Sequence, residues 1–270
     1  IMTTGQITLG HAAFAAIGGY TTTLLVTKAG FTFWESLPIA GILTILLALL
    51  IGYPTLRLKG GYFAILTFAL SEAVRYVFQT WKDIFGGSFG IVNIPSPDAI
   101  SIPGVFTLAF TSRVSQYYLI AMFAIIAILF MYRVEKSRYG LIFHSIGAAD
   151  SLSEHTGVNI MNQKVLAFVI GSFFAAIAGV LQTHYLTIIN PFTFTFHSTV
   201  RYLIYGVIGG TGSFFGPIIG ACIFTPLPEL LRPLKEFESI IYALVLLAGI
   251  LFFPGGIMSI IQRRKKRGSA

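Results

Sequence analysis

The chain has 270 residues, 55% hydrophobic and only 10% charged, with a mean hydropathy of +0.81. A globular domain carries about 25% charged residues, so this composition cannot cover a water-facing surface, and it is far too apolar for intrinsic disorder. The net charge of +8 (18 Lys and Arg against 10 Asp and Glu) argues against nucleic acid by its placement: five basic residues run from Arg263 to Arg267 after an apolar stretch, and most others border apolar runs, as in a protein that lies in a bilayer.

Taken in chain order, stretches of about 20 apolar residues are candidates to cross a membrane. They are Ile7 to Val26, Leu37 to Leu56, Gly61 to Thr80, Gln116 to Tyr132, Val165 to Ile189, Phe192 to Ile208, Phe214 to Leu230, and Ser239 to about Ile257. The fold class is therefore an all-α membrane protein, a polytopic helical bundle with about eight crossings in a single transmembrane domain over residues 1–270. The pair between Phe192 and Leu230 reads equally as two full spans or as a re-entrant pair. An upstream helix is expected to precede Ile1, because the chain opens directly on a Gly-rich motif with no leader pattern.

Orientation follows from the Lys and Arg of short loops. With the basic tail (262–270) inside, eleven of the 18 basic residues are cytoplasmic, among them Arg57, Lys59, Arg133, Lys136, Arg138 and Lys164. Both termini are then predicted on the cytoplasmic side. The external loop 81–116 contains Gly86, Gly87, Gly90, Pro95, Pro97 and Pro103, which favour turns over a long helix and predict a small lid or short interfacial helix. The cytoplasmic segment 133–164 places Leu141, Ile142, Ser145 and Ile146 on one helical face, and Leu152 with Thr156 further on. Such an amphipathic helix either docks into a soluble partner or lies on lipid.

Groups for chemistry are sparse. His11, His144, His155, His184 and His197 are scattered without a metal-binding spacing, Cys222 is alone, and neither a nucleophile elbow nor a P-loop Lys occurs. No catalytic residue, metal site or cofactor is expected. Glu72 and Arg75, at i,i+3 within a span, can neutralise each other, either as a polar lining or as a structural pair between helices. Gly209, Gly210, Gly212 and Ser213 form a backbone break whose freed groups either line a polar cavity or simply turn the chain. The small residues Ala12, Ala13, Ala15, Ala16, Gly18 and Gly19, and Ala175, Ala176, Ala178 and Gly179, permit close helix contact.

Several motifs together resemble the permease subunits of branched-chain amino-acid ABC transporters, of the LivM type in the LivH/LivM permease family. Gly5-Gln6-Ile7-Thr8-Leu9-Gly10-His11-Ala12-Ala13-Phe14 is similar to the family's opening signature, with Thr8 where Ser is usual. Arg57-Leu58-Lys59-Gly60-Gly61-Tyr62-Phe63-Ala64-Ile65 with Thr67, Glu72 and Arg75 resembles a second motif, Gly61 replacing a common Asp. Ser137-Arg138-Tyr139-Gly140, Gly157-Val158-Asn159 before Lys164 to Phe168, Asn190-Pro191, and Val207 to Pro217 complete it.

The resemblance implies a type II ABC importer-like permease for leucine, isoleucine and valine. It also implies a homologous second permease of the LivH type, two cytoplasmic ATPase subunits that hold the ATP, and an extracytoplasmic substrate-binding protein. It places a coupling helix in 133–164, with Leu141, Ser145, Asp150, Leu152, Glu154, Gly157 and Asn159 meeting the ATPases. The pathway is expected along Gln6, Thr8, His11, Glu72, Arg75, Gly209, Gly210, Gly212 and Ser213. Urea or short amides are the alternative cargo, and a channel or membrane-embedded enzyme the alternative class.

Overall fold

The computed structural model describes residues 2–58, 60–102, 106–148, 159–210, 212–252 and 256–258, and it is helical almost throughout. The long helices are α1 (His11–Lys28), α2 (Phe33–Thr55), α3 (Gly61–Thr80), α5 (Arg113–Lys136) and α7 (Ile160–Leu186). Shorter ones are α4 (Lys82–Phe85), α6 (Arg138–Ala148), α8 (Phe196–Gly209), α9 (Phe215–Phe224), α10 (Leu227–Leu231) and α11 (Glu238–Phe252). The chain divides into two compact units, Ile1–Thr199 and Val200–Ala270.

Local sequence sets the helix starts. Thr32 and Glu35 close a reciprocal capping box on α2, Ser112 caps α5 through Ser115 N–H, and Asn159 caps α7 through Asn162 N–H. Among the described residues, α2, α3, α5 and α7 are long and apolar enough to cross a membrane. The other predicted spans are shorter. α8 and α9 have 14 and 10 residues, about 21 and 15 Å at 1.5 Å per residue, against a hydrocarbon core of about 30 Å. The first predicted span begins at Ile7, but helix begins only at His11, because hydroxyl groups compete for the preceding backbone.

In the first unit α1 lies against both α2 and α7, which also pack on each other, and α3 flanks α1. The α1–α7 contact is nearly backbone to backbone. A Cβ at Gly18 would stand 2.8 Å from Ala176 Cα, and one at Gly179 would collide with the Ala15 carbonyl. The small residues of the two helices thus meet, as lipid-embedded packing favours. Phe14, Phe63 and Phe168 fill the core below this contact, and Tyr20, Phe78 and Phe85 cluster above it. By contrast α5 is largely uncovered.

Segment 81–112 contains the short helix expected there, α4, together with strands that hydropathy does not reveal. β1 (Ile91–Val92) pairs antiparallel with β4 (Ile188–Ile189), and β2 (Ile100–Ile102) with β3 (Phe106–Leu108). The segment straps helix ends together. Phe33 N–H donates to the Asp98 carboxylate at 2.7 Å, Trp34 Nε1–H to the Asp98 carbonyl at 3.0 Å, and His184 Nδ1–H to the Pro95 carbonyl at 2.8 Å. Asp98 therefore sits where an anion is favoured, at the start of α2. His184 is a packing residue here, buried with its ring edge-on to Phe33.

In the second unit α8 and α9 approach through glycine. A Cβ at Gly216 would strike the Gly210 carbonyl, and one at Gly220 the Tyr205 carbonyl. Tyr205, Ile208 and Phe224 form its small core, and the Tyr205 and Tyr242 hydroxyls are 2.9 Å apart.

Gly179→Val is expected to destabilise the first unit by about 3 kcal/mol, the cost of forcing a side chain into packed backbone. Gly61→Ala is expected to be neutral, since nothing lies within 4 Å of that position. Thermal unfolding of the detergent-solubilised protein distinguishes the two.

Candidate functional site

The site is built on α3 and on the irregular stretch that precedes α1. A 3₁₀ turn over Met2–Thr4 is followed by Gly5 at φ +73°, then by non-helical chain to Gly10. Within this stretch, α3 takes up both backbone groups of Leu9. Leu9 N–H donates to Thr67 Oγ1 at 3.0 Å, and Ser71 Oγ donates to the Leu9 carbonyl at 3.0 Å. Gly10 N–H donates to Thr8 Oγ1 at 3.1 Å. Gln6 is buried, and its Oε1 has no hydrogen-bond partner among the described residues. His11 opens α1.

Thr67, Ser71, Arg75 and Gln79 recur every fourth residue and so form one polar stripe along α3. Its lower half is buried against Leu9. Its upper half is self-paired: Arg75 Nη2 is 2.7 Å from Glu72 Oε2, Arg75 Nη1 donates to Gln79 Oε1 at 3.1 Å, and Gln79 Nε2 donates to Ser88 Oγ at 3.3 Å. The Arg75 guanidinium also lies 5.9 Å over the Phe192 ring. The Glu72 and Arg75 side chains are 31% and 22% exposed. The pair is therefore half-open.

The structure brings Thr8, Glu72 and Arg75 onto or beside this stripe. Gly209, Gly210, Gly212 and Ser213 belong to the second unit, at the α8–α9 turn. Gly209 and Gly210 are buried there, Gly212 is exposed with nothing within 4 Å, and Ser213 N–H closes the turn on the Gly210 carbonyl at 3.4 Å.

Of the residues expected to meet a soluble partner, Leu141 and Ser145 lie on α6 and are exposed, while Asn159 serves as the α7 cap. Asp150, Leu152, Glu154 and Gly157 lie outside the described residues. The exposed face of α6 is Leu141, His144, Ser145 and Ala148, whereas Phe143 and Ile146 turn inward. Ile146 thus leaves the face it shares with Leu141 in the sequence reading, because α6 packs against the Met2–Thr4 turn as well as against α5. Gly147 makes that first contact. A Cβ there would collide with the Thr3 carbonyl and stand 3.1 Å from Gly5 N. Across the link from α5, His144 Nε2 is 2.6 Å from Glu135 Oε1.

Thr67, Ser71, Gly147 and Gly5 are the members of this site not among the residues expected to line the pathway or to meet a partner. The four-residue spacing of Thr67, Ser71 and Arg75 was the available signal. The approach of Gly147 to Gly5 has no signature in the linear chain. Among the described residues no group of three or more His, Cys, Asp or Glu is placed to hold a metal.

The profile of a family described as branched-chain amino acid transport system permease component matches residues 1–253. The chain is 30% identical over 285 residues to the high-affinity branched-chain amino acid transport system permease protein LivM of Escherichia coli strain K12, covering 98% of this chain and 67% of that protein. It is 26% identical to the corresponding LivH protein of Salmonella typhimurium, over 57% of this chain and 49% of that one. It is also 25% identical to the autoinducer 2 import system permease protein LsrC of Salmonella choleraesuis, over 86% of this chain and 67% of that one. No solved structure matches it.

Thr67→Val is expected to leave Leu9 N–H without an acceptor and to cost about 1–3 kcal/mol locally. Hydrogen exchange of a peptide spanning residues 5–10 checks this, with faster exchange in the variant and unchanged exchange in α7.

Proposed function

The chain belongs to the family of branched-chain amino acid transport system permease components, a transport subunit rather than an enzyme, and from that premise we propose that it conducts leucine, isoleucine and valine across a bacterial inner membrane as one permease of an ABC importer. Its partners are then a homologous second permease, two cytoplasmic ATPases and an extracytoplasmic binding protein. Similarity to both LivM and LivH proteins supports the permease pair. Both termini of the chain then lie inside, and α8 and α9 act as half-length elements.

The observation that carries the mechanism is the tie of a non-helical stretch to a polar helix face. Backbone without helix is tolerated at membrane depth where it is buried in protein or lines a cavity. Residues 5–10 meet that condition through Thr67 and Ser71. Above them, Glu72 and Arg75 provide a half-open polar lining of low net charge. Such a lining lets a zwitterion pass without holding it tightly, and selectivity rests with the soluble binding protein. α6 is the coupling helix. ATPase closure against Leu141 and Ser145 moves α6, and the Gly147 contact passes that motion to Thr3, Gly5 and the Leu9–α3 tie.

Reconstituted with its partners, the transporter is expected to accumulate leucine only with internal ATP, and excess unlabelled isoleucine but not urea is expected to compete. Competition by urea instead would assign the cargo to small amides. Gly147→Val is expected to lower uptake about tenfold while the complex still assembles, within the usual span of coupling energies. Unchanged uptake would exclude this route for the motion.

A further inference from the structure

Two arginines fall inside the apolar stretches, and their surroundings differ. Arg75 has its counter-charge on the next turn, with Glu72 2.7 Å away. Arg201 is exposed on α8 and makes no hydrogen bond or ion pair among the described residues. The sequence offers it little choice, since no Asp or Glu occurs between Glu154 and Glu229.

The helix around it has a clear polarity. His197, Arg201, Ile204 and Ile208 are spaced by four, three and four residues and so form one stripe of α8. Toward the C-terminal end this stripe is closed: Ile208 is 1% exposed in a core with Tyr205 and Phe224, and Ile204, Tyr242 and Leu246 pack against it. Toward the N-terminal end it is open, with both His197 and Arg201 exposed. A guanidinium midway along an apolar helix faces a polar cavity or a counter-charge rather than acyl chains. The planar fork of Arg matches a carboxylate, which it binds through two parallel hydrogen bonds.

We propose that the Arg201 guanidinium receives the carboxylate of the passing amino acid. The assignment rests on the reading of the chain as an amino-acid permease. It deepens that reading, because urea and short amides carry no carboxylate and have no use for an unpaired guanidinium.

The test uses the complete transporter in proteoliposomes and initial rates of leucine uptake at saturating loaded binding protein. Arg201→Gln is expected to reduce the rate about tenfold or more, the loss of a charge-assisted pair. Arg201→Lys, which keeps the charge but not the fork, is expected to fall between. Arg232→Gln removes a cation from an exposed pair with Glu229 and is expected to stay within about twofold. In all variants the second permease is expected to co-purify. A wild-type rate in Arg201→Gln would overturn the proposal and leave Arg201 as a residue that reaches lipid phosphate. Loss of the second permease from that variant would also overturn it, by assigning the cation to an acidic group of the sister chain. A wild-type complex that moves no leucine would sink the cargo reading itself, before any variant is compared.

Discussion

Inside a bilayer a helix satisfies its own backbone, and any other conformation needs partners. Residues 5–10 depart from α-helix beside the core, and at Leu9 α3 supplies the missing groups. Thr67 accepts from Leu9 N–H and Ser71 donates to its carbonyl, so both backbone polar groups of one residue are held. The position of α1 follows from this anchor, because its first residue is the next after Gly10. From there α1 runs against α7 at a separation only glycine and alanine allow. The rest of the first unit is arranged around that pair, with α2 across both and α3 at the flank.

The same anchor gives the mechanism its route. α6 touches the Met2–Thr4 turn through Gly147, the turn continues into the tied stretch, and the tie ends on the stripe that carries Glu72 and Arg75. Each link is a backbone contact or a short hydrogen bond, and packed elements of this kind shift as discrete bodies rather than deform. On the proposed reading, work done by partner ATPases at α6 arrives at a polar lining on α3 without the chain needing catalytic groups of its own. This accounts for the sparse chemistry of the sequence. On the same reading, the single acid and single base of α3 neutralise each other along the passage.

Much of this was legible before the structure. The charge placement and apolar runs identify a membrane protein, and four of the runs are helices long enough to cross. The i,i+3 spacing of Glu72 and Arg75 anticipates their pairing, and the small-residue runs anticipate close helix contact. What was not legible depends on distance in sequence. Leu9 and Thr67 are 58 residues apart, and Lys28, which holds the Asp83 and Ile84 carbonyls, is 55 and 56 residues from them. Strand β1 finds its partner only where α7 ends, and Asp98 caps a helix that starts 65 residues earlier. Such contacts are made by short polar side chains or by backbone, which carry no periodicity. The start of α1 was misplaced for the same reason, since hydropathy counts Ile7 and Leu9 as helix but cannot see hydroxyls competing for the Leu9 and Gly10 amides.

The central claim is that α6, the tied stretch and α3 move as one body. Spin labels at Tyr139 on α6 and Tyr76 on α3, both exposed positions, report it directly by pulsed electron resonance in the assembled transporter. The account predicts the same interlabel distance distribution in the nucleotide-free and ATP-trapped states. A shift of that distribution beyond its nucleotide-free width would contradict it, because α6 would then move without carrying α3.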